Sequence, residues 1–551
     1  MLKQISFTNV LDPAAAPVVP SMPDLLAVAF ALGARSVAGW SPNEEDLAAT
    51  LPAPDPASVA GAQHAIQHGA DPLGDAYCRL LSAEQRRPMG ATYTPRAIVA
   101  AMLQWAATQV CPARVVDAGT GSARFLVGAG RMFPQAALCG VESDPRAALL
   151  ARGHLAAAGF APRAYVAVGD YRAAALPAIA GPTLFVGNPP YVRHHLLEPR
   201  WKAWLVQTAR KYGLAASQLA GLHVHFFLAT AEYARPGDIG VLITAAEWLD
   251  VNYGRFVREL LLDVLGVKTI HIIEPAALPF PDAAATAVIT GFAVGARPKA
   301  VGVRRVAHLD ELGALSSVVQ VPRERLEAAG RWTLLTHAVP EQRAGFVELG
   351  ELCRVHRGQV TGANQVWIEG RHSADLPESV LFRTVTKARE LFQVQDVLAD
   401  ASHLRRVIDL PVDLDIFAPE DRRRIERFLA AARAQGADSG FIARHRKAWW
   451  AVGLRDPAPI LATYMARRPP AFVRNLAGAR HINIAHGLYP RVPLAEPALR
   501  ALALYLSNHT LLGQGRTYAG GLTKFEPREM ERLLVPGPEL LLTGHWAEVP
   551  A

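Results

Sequence analysis

The chain has 551 residues, 51% of them hydrophobic and 19% charged, with a formal net charge of +8. That length allows more than one core, and the four cysteines (Cys78, Cys111, Cys139 and Cys353) lack the spacing of a zinc site or a disulfide framework. No apolar run reaches membrane-spanning length and the first residues lack the order of a secretion signal, so the expectation is a soluble, cytoplasmic protein with no membrane contact; the basic excess favours a polyanionic partner.

Residues 1–88 are Ala-rich and helical in pattern, broken by prolines at 52, 54, 56 and 72. Next comes Gly90-Ala91-Thr92-Tyr93-Thr94-Pro95, whose Thr-Pro reads as the cap and first turn of a helix running through Ile98 to Ala106. From 89 to 295 short apolar segments alternate with longer helical ones, the order of a doubly wound α/β sheet. The expected strands start at Arg114, Ala137, Ala164, Leu184 and Ile239, and two more, Val267 to Ile273 and Thr286 to Phe292, suggest an antiparallel pair closing the sheet edge.

The first strand leads into Asp117-Ala118-Gly119-Thr120-Gly121-Ser122. Gly119 and Gly121 allow close backbone approach to a ligand, and the helix that follows favours its negative groups. Glu142 ends the second strand, where an acid can accept from both hydroxyls of a ribose. Asp170 and Tyr171 follow the third strand, placed to accept from an adenine amine and to pack on its ring. A dinucleotide would want a longer glycine fingerprint; S-adenosylmethionine fits this set better.

The fourth strand ends in Asn188-Pro189-Pro190-Tyr191. Asn188 and the Pro189 carbonyl can each accept from an amine proton, Pro190 keeps the turn stiff, and Tyr191 offers a flat face for stacking. The stretch reads as a grip on an exocyclic amine or amide that is to be methylated. Arg193, His194 and His195 follow, and His223 and His225 lie in an apolar helix; neither pair has an acid or cysteine to complete a metal set. None of the eight lysines has an acid two residues before it, the spacing of a common metal-dependent nuclease core.

Residues 296–345 read as a connector and 346–551 as a separate mixed α/β region. Between 441 and 530 there are 13 Lys or Arg against 4 Asp or Glu, interleaved with Trp449, Trp450, Tyr464, Phe472, Tyr489 and Tyr518. That pattern points to a nucleic-acid face, with Arg467, Arg468, Arg474 and Arg480 as its densest basic cluster.

In order, Thr-Tyr-Thr-Pro, Asp-Ala-Gly-Thr-Gly, Asn-Pro-Pro-Tyr-Val-Arg and a C-terminal region carrying Arg357-Gly358-Gln359-Val360-Thr361-Gly362-Ala363-Asn364 and Gly520-Gly521-Leu522-Thr523-Lys524-Phe525 resemble the gamma-group DNA adenine-N6 methyltransferases of bacterial restriction-modification systems. The donor loop departs from that group's usual Asp-Pro-Ala-Cys-Gly-Ser-Gly. The resemblance implies a class I methyltransferase sheet over 89–295 and a DNA target-recognition domain over 346–551. It implies that Thr94 helps hold the methionine part of S-adenosylmethionine, Glu142 the ribose and Asp170 the adenine. Asn188 and Pro189 would hold the target amine of a base flipped from duplex DNA, with Tyr191 and Phe280 stacking on it. A separate endonuclease is an expected partner. RNA base methylation, protein-glutamine methylation and a noncatalytic DNA-binding subunit stay open on the residues alone.

Overall fold

The computed structural model describes residues 19–82, 85, 93–274, 286–313, 315–316, 318–336, 345–394, 396–518 and 522–544. The chain forms two compact units, residues 1–338 and 339–551.

The first unit is organised by a nine-stranded sheet. Its strands are β1 (Arg114–Ala118), β2 (Ala137–Glu142), β3 (Ala164–Val168), β4 (Thr183–Gly187), β5 (Ile239–Ala245), β6 (Val267–Ile273), β7 (Ala287–Ala293), β8 (Ala300–Val306) and β9 (Val319–Pro322), in the order β3-β2-β1-β4-β5-β7-β6-β8-β9. β1 to β5 are parallel, with Val115 beside Leu138 on one side and Leu184 on the other. These strands are apolar on both faces because helices cover both. Helices α5 (Arg96–Gln109), α6 (Arg124–Met132) and α7 (Pro145–Ala157) pack on one face through Met102, Phe125, Leu126 and Ala148. Helices α8 (Pro199–Lys211), α9 (Leu222–Tyr233) and α10 (Gly254–Leu260) cover the other through Leu205, Phe227 and Val257.

The chain runs outward from β1 to β3 and then returns to place β4 on β1's other side. A crevice therefore opens at the carboxyl ends of β1 and β4, the place where open α/β sheets bind ligands.

β6 and β7 pair antiparallel, with a register shift between Val267 and Thr269. They do not close the edge, because the stretch expected as a connector carries β8 and β9, which pair onward from β6. Val301 and Val303 bury one side of β8 in the core under α8 to α10, while Val306 on the other side joins the core under α5 to α7, and this burial decides its place.

Residues 19–82 are not a free-standing helical segment. Helices α1 (Met22–Ala31), α2 (Pro42–Ala49), α3 (Pro56–Gln67) and α4 (Pro72–Leu80) share one apolar cluster with Leu149, Leu150 and Ala157 of α7. Gly153 permits the close approach: a Cβ there would stand 2.5 Å from the Ala29 carbonyl oxygen. The fully buried Arg152 pairs with buried Glu44 and donates to the carbonyls of Val37, Ala38, Gly39 and Val166. Ala38 bridges to Tyr165, covering the exposed side of β3, so this edge is not left to pair with another chain.

In the second unit a five-stranded sheet has the order Cys353–Arg357, Ala485–Pro490, Ile460–Thr463, Phe472–Asn475, Val397–Leu398. The helix Glu496–His509 packs on it through Leu499, Leu502 and Leu506, while Pro419–Ala434 buries Ile425 and Phe428 against Trp367 and Ile408 in a second core. Among the described residues no helix is long and apolar enough to cross a membrane.

Candidate active site

At the carboxyl end of β1 the backbone turns through Gly119 at φ +77° and Gly121 at φ +55°, conformations that L side chains rarely adopt. Gly119 and Thr120 donate to the Val141 carbonyl at 2.9 and 3.1 Å, drawing the loop across β2. The loop, Glu142 and the turn after β3 line a cavity of about 210 Å³ together with Tyr77, Tyr93, Thr94, Asn188 and Phe226.

Glu142 is shaped by its backbone. Its Oε1 accepts the N–H groups of Ser143 (2.8 Å) and Asp144 (3.0 Å), and its Oε2 accepts Gly121 N–H at 2.9 Å. Oε1 is thereby saturated and Oε2 keeps one acceptor position. Glu142 thus has room for one hydroxyl rather than the two expected from the sequence, because backbone donors take the rest. Burial raises its carboxyl, opposed by those same three N–H groups. Asp117 is 1% exposed, and neither of its carboxylate oxygens has a hydrogen-bond partner among the described residues. Burial, then the charge of Glu142, pushes it well above the usual carboxylate range.

Asp170 lines the cavity and is held by Arg172. Tyr171 is almost wholly buried, its ring 5.3 Å from Phe226 and 5.2 Å from Tyr233 and its hydroxyl 3.2 Å from Thr230 Oγ1. It backs the cavity wall, rather than offering an open ring face, because α9 packs down on it.

At the end of β4, Asn188 and Pro190 enter the same cavity. A Cβ on Gly119 would stand 3.4 Å from Pro190 Cδ, so the glycine loop and the Asn-Pro-Pro-Tyr turn abut. Asn188 Nδ2 donates to Thr94 Oγ1 at 3.1 Å. Thr94 therefore does not cap α5, whose N-cap is Pro95 without a side-chain bond; its hydroxyl orients the amide of Asn188. Pro189 is buried. Tyr191 buries its hydroxyl while its ring stays partly exposed against the core on the α5 side, and burial raises its pKa. Leu222 N–H donates to the Val192 carbonyl at 2.9 Å, tying the turn to α9. Arg193 is exposed. Phe280 lies outside the described residues.

The glycine loop has a second anchor that the sequence did not advertise. Asp71 caps α4 by accepting Gly74 N–H (2.8 Å), and also accepts Ser122 Oγ–H (2.6 Å) and Arg124 Nε–H (2.9 Å). Arg124 Nη1 then donates to the Thr94 carbonyl at 2.9 Å and Nη2 to Asp75 at 2.8 Å. One buried acid thus joins the N-terminal helices, the glycine loop and the strand of chain that carries Thr94. Burial would raise Asp71, but the charges of Arg124 and His154 and the bonds from Ser122 and Gly74 hold it below the usual range. The local signal was a helix cap, Asp71-Pro72, with no indication of its distant partners.

The four arginines of the expected recognition cluster separate. Arg474 is committed to Glu496 (2.7 Å) and to the Pro459 and Asn475 carbonyls. Arg480 lies 3.9 Å over the Phe382 ring and 3.6 Å from Asp409. Arg467 and Arg468 are exposed between the strands Met465–Ala466 and Phe472–Asn475, and Arg468 sits on the Phe392 ring.

Family models match two stretches of the chain: the Eco57I restriction-modification methylase over residues 183–277 and the Type II methyltransferase M.Eco57I C-terminal domain over 335–549. The chain is 53% identical over 485 residues to the Type II methyltransferase M.XamI of Xanthomonas campestris pv. amaranthicola, covering 88% of this chain and 90% of that one. It is 22% identical to the Type II methyltransferase M.AccI of Acinetobacter calcoaceticus, over 63% of this chain and 67% of that protein. The solved structure of the Type IIL restriction-modification enzyme MmeI in complex with DNA has a similar fold, with a TM-score of 0.50 at 14% identity over 88% of this chain and 75% of that one.

Proposed function

The chain belongs to the Type II methyltransferases of restriction-modification systems, S-adenosylmethionine-dependent enzymes that modify DNA, and from that premise we propose that it methylates adenine N6 in a base flipped out of duplex DNA. One observation carries this reading: Asn188 and Pro190 open into the same cavity as the Gly119–Gly121 loop, Glu142 and Asp170. A methyl donor held by the second group is thereby in reach of an amine held by the first.

The residues fit the donor. The glycine loop leaves space at the carboxyl end of β1, Glu142 has one acceptor position for a ribose hydroxyl, and Asp170 has one for an adenine amine. S-adenosylmethionine supplies a methyl group made electrophilic by its sulfonium sulfur. On the target side the adenine amine is a weak nucleophile because its lone pair is delocalised into the ring. The Asn188 side-chain carbonyl and the Pro189 carbonyl, by accepting its two protons, draw the nitrogen toward tetrahedral geometry and localise that pair. Methyl transfer to that nitrogen would release S-adenosylhomocysteine, and the surplus proton of the methylated amine would pass to solvent, since the two carbonyls accept hydrogen bonds but are too weakly basic to keep a proton. Thr94, by fixing the nitrogen end of the Asn188 amide, sets which way its oxygen faces. Rate enhancement comes from positioning and preorganised acceptors. Extruding the base costs a few kcal/mol, which the exposed part of the Tyr191 ring offsets by stacking.

Arg193 and the exposed pair Arg467 and Arg468 are the proposed DNA contacts. A separate endonuclease is the proposed partner, consistent with the absence of the lysine-based nuclease spacing in the sequence. The deciding experiment is methyl transfer to duplex DNA followed by digestion to nucleosides and mass spectrometry. N6-methyladenine is expected. Methylcytosine, or transfer to RNA or a glutamine peptide in preference to duplex DNA, would overturn the assignment.

A further inference from the structure

Arg172, in the turn after β3, lines the cavity with a side chain only 5% exposed. Four contacts fix its guanidinium. Nε donates to Asp170 Oδ1 at 2.8 Å, Nη2 to Asp170 Oδ2 at 2.5 Å and Nη1 to His225 Nδ1 at 3.2 Å, while the plane lies 3.9 Å over the Trp201 ring. His225 is fully buried in α9, and burial, then the charge of Arg172, depresses its pKa to about 3, so it is neutral and its Nδ1 accepts.

Asp170 Oδ1 also accepts the backbone N–H of Arg172 at 2.9 Å. Oδ1 therefore has both acceptor positions filled and Oδ2 has one left. Without the guanidinium this carboxylate would be held by one backbone N–H alone; the paired guanidinium fixes both oxygens and permits one orientation.

We propose that Arg172 is the positioning residue of the donor's adenine subsite, holding Asp170 so that the single remaining acceptor on Oδ2 meets one proton of the 6-amino group. Trp201 and His225, from α8 and α9, hold Arg172 in turn. The subsite thereby selects a 6-amino purine over a 6-oxo purine, whose oxygen would meet an ionised carboxylate. Burial alone would raise the Asp170 carboxyl; the side-chain and backbone hydrogen bonds of Arg172 reverse this and keep it below the usual range. The other titratable neighbours are His225, which is neutral, and Tyr233, whose pKa is raised.

This proposal rests on Asp170 accepting from the donor's adenine, and the test separates the two. S-adenosylhomocysteine and S-inosylhomocysteine are titrated calorimetrically into the full-length wild type and into Asp170→Asn, Arg172→Gln and Arg172→Lys, from neutral to mildly acid pH. In the wild type the adenosyl compound is preferred at every pH. In Arg172→Gln its affinity falls roughly tenfold, the size of a lost charge-assisted interaction. The preference over the inosyl compound shrinks further as pH falls, because burial then raises Asp170 with only the backbone N–H of residue 172 left as its main opposition. Arg172→Lys, which keeps the charge without the fork, restores the flat pH profile but not the full affinity. Wild-type affinity and selectivity in Asp170→Asn would remove the underlying reading. A weakened Asp170→Asn beside an Arg172→Gln with wild-type affinity, selectivity and pH profile would overturn the role of Arg172 alone. If Arg172→Gln fails to fold, Arg172→Lys decides: wild-type affinity in it overturns the need for the paired geometry.

Discussion

Around the donor cavity, Asp71, Glu142 and Asp170 each receive three or more N–H or O–H donors, whereas at the basic turn of the second unit Arg467 has no ion pair among the described residues and Arg468 has only an aromatic ring beneath it. The two regions use charge differently. A group that must meet a small ligand at one angle is oriented in advance, by backbone N–H groups at Glu142 and mainly by side chains at Asp71 and Asp170. A group that meets a phosphate backbone gains by staying hydrated and mobile until contact, since its contribution comes largely from released counterions. Arg474 and Arg480 sit close in sequence to the second kind and are built like the first.

The largest effect that would test this contrast is Asn188→Ala. Loss of a preorganised acceptor lowers kcat by about 10²–10³-fold, with donor affinity nearly unchanged by calorimetry; Thr94→Val, which only releases the orientation of Asn188, loses roughly tenfold. Arg124→Ala leaves Asp71 buried without its main cation, and we expect about 3 kcal/mol of destabilisation in chemical unfolding together with weaker donor binding. If stability held, the clamp between the N-terminal helices and the glycine loop would be ornamental.

A smaller effect distinguishes the arginines. Arg467→Ala and Arg468→Ala should each weaken binding to every duplex alike and lower the salt slope by about one, with the melting temperature unchanged. Arg474→Ala should do the reverse, lowering the melting temperature and sparing the salt slope. Identical behaviour of all three in a salt series would erase the distinction.

The smallest effect concerns a buried acid just before the glycine loop. Asp117 is buried without a hydrogen-bond partner among the described residues and has a raised pKa. A carboxyl whose folded pKa lies above its unfolded value stabilises the fold below the unfolded value, and that contribution is lost as pH rises toward the folded one. Asp117→Asn should therefore raise the melting temperature at neutral pH, and the gain should vanish as pH falls toward the ordinary value of 3.8. A gain independent of pH would mean that the charge is not what burial penalises.

The parallel strands and the two turns that line the cavity were readable because each is a local pattern: a short apolar run for a strand buried on both faces, then Gly119 and Gly121 or Asn188-Pro189-Pro190-Tyr191 where the run ends. The extra strands β8 and β9 were not. Their alternating valines are weaker signals than a continuous apolar run, and only the pairing of β8 with β6 gives them a place. The N-terminal helices gave no functional sign, because the residue that matters, Asp71, looks like any other helix cap.

By itself, then, the order of residues along the chain determined which chemical groups stand at the carboxyl ends of β1 to β4, since a parallel sheet brings those ends together whatever else surrounds them. Only the tertiary structure decided how many acceptor positions Glu142 and Asp170 keep, that Thr94 serves Asn188 rather than its own helix, and which of the four arginines stay exposed. Those outcomes depend on partners far apart in sequence, such as Arg124 with Asp71 and Arg474 with Glu496, and a hydrogen bond's capacity is exhausted by whichever donor arrives first in space.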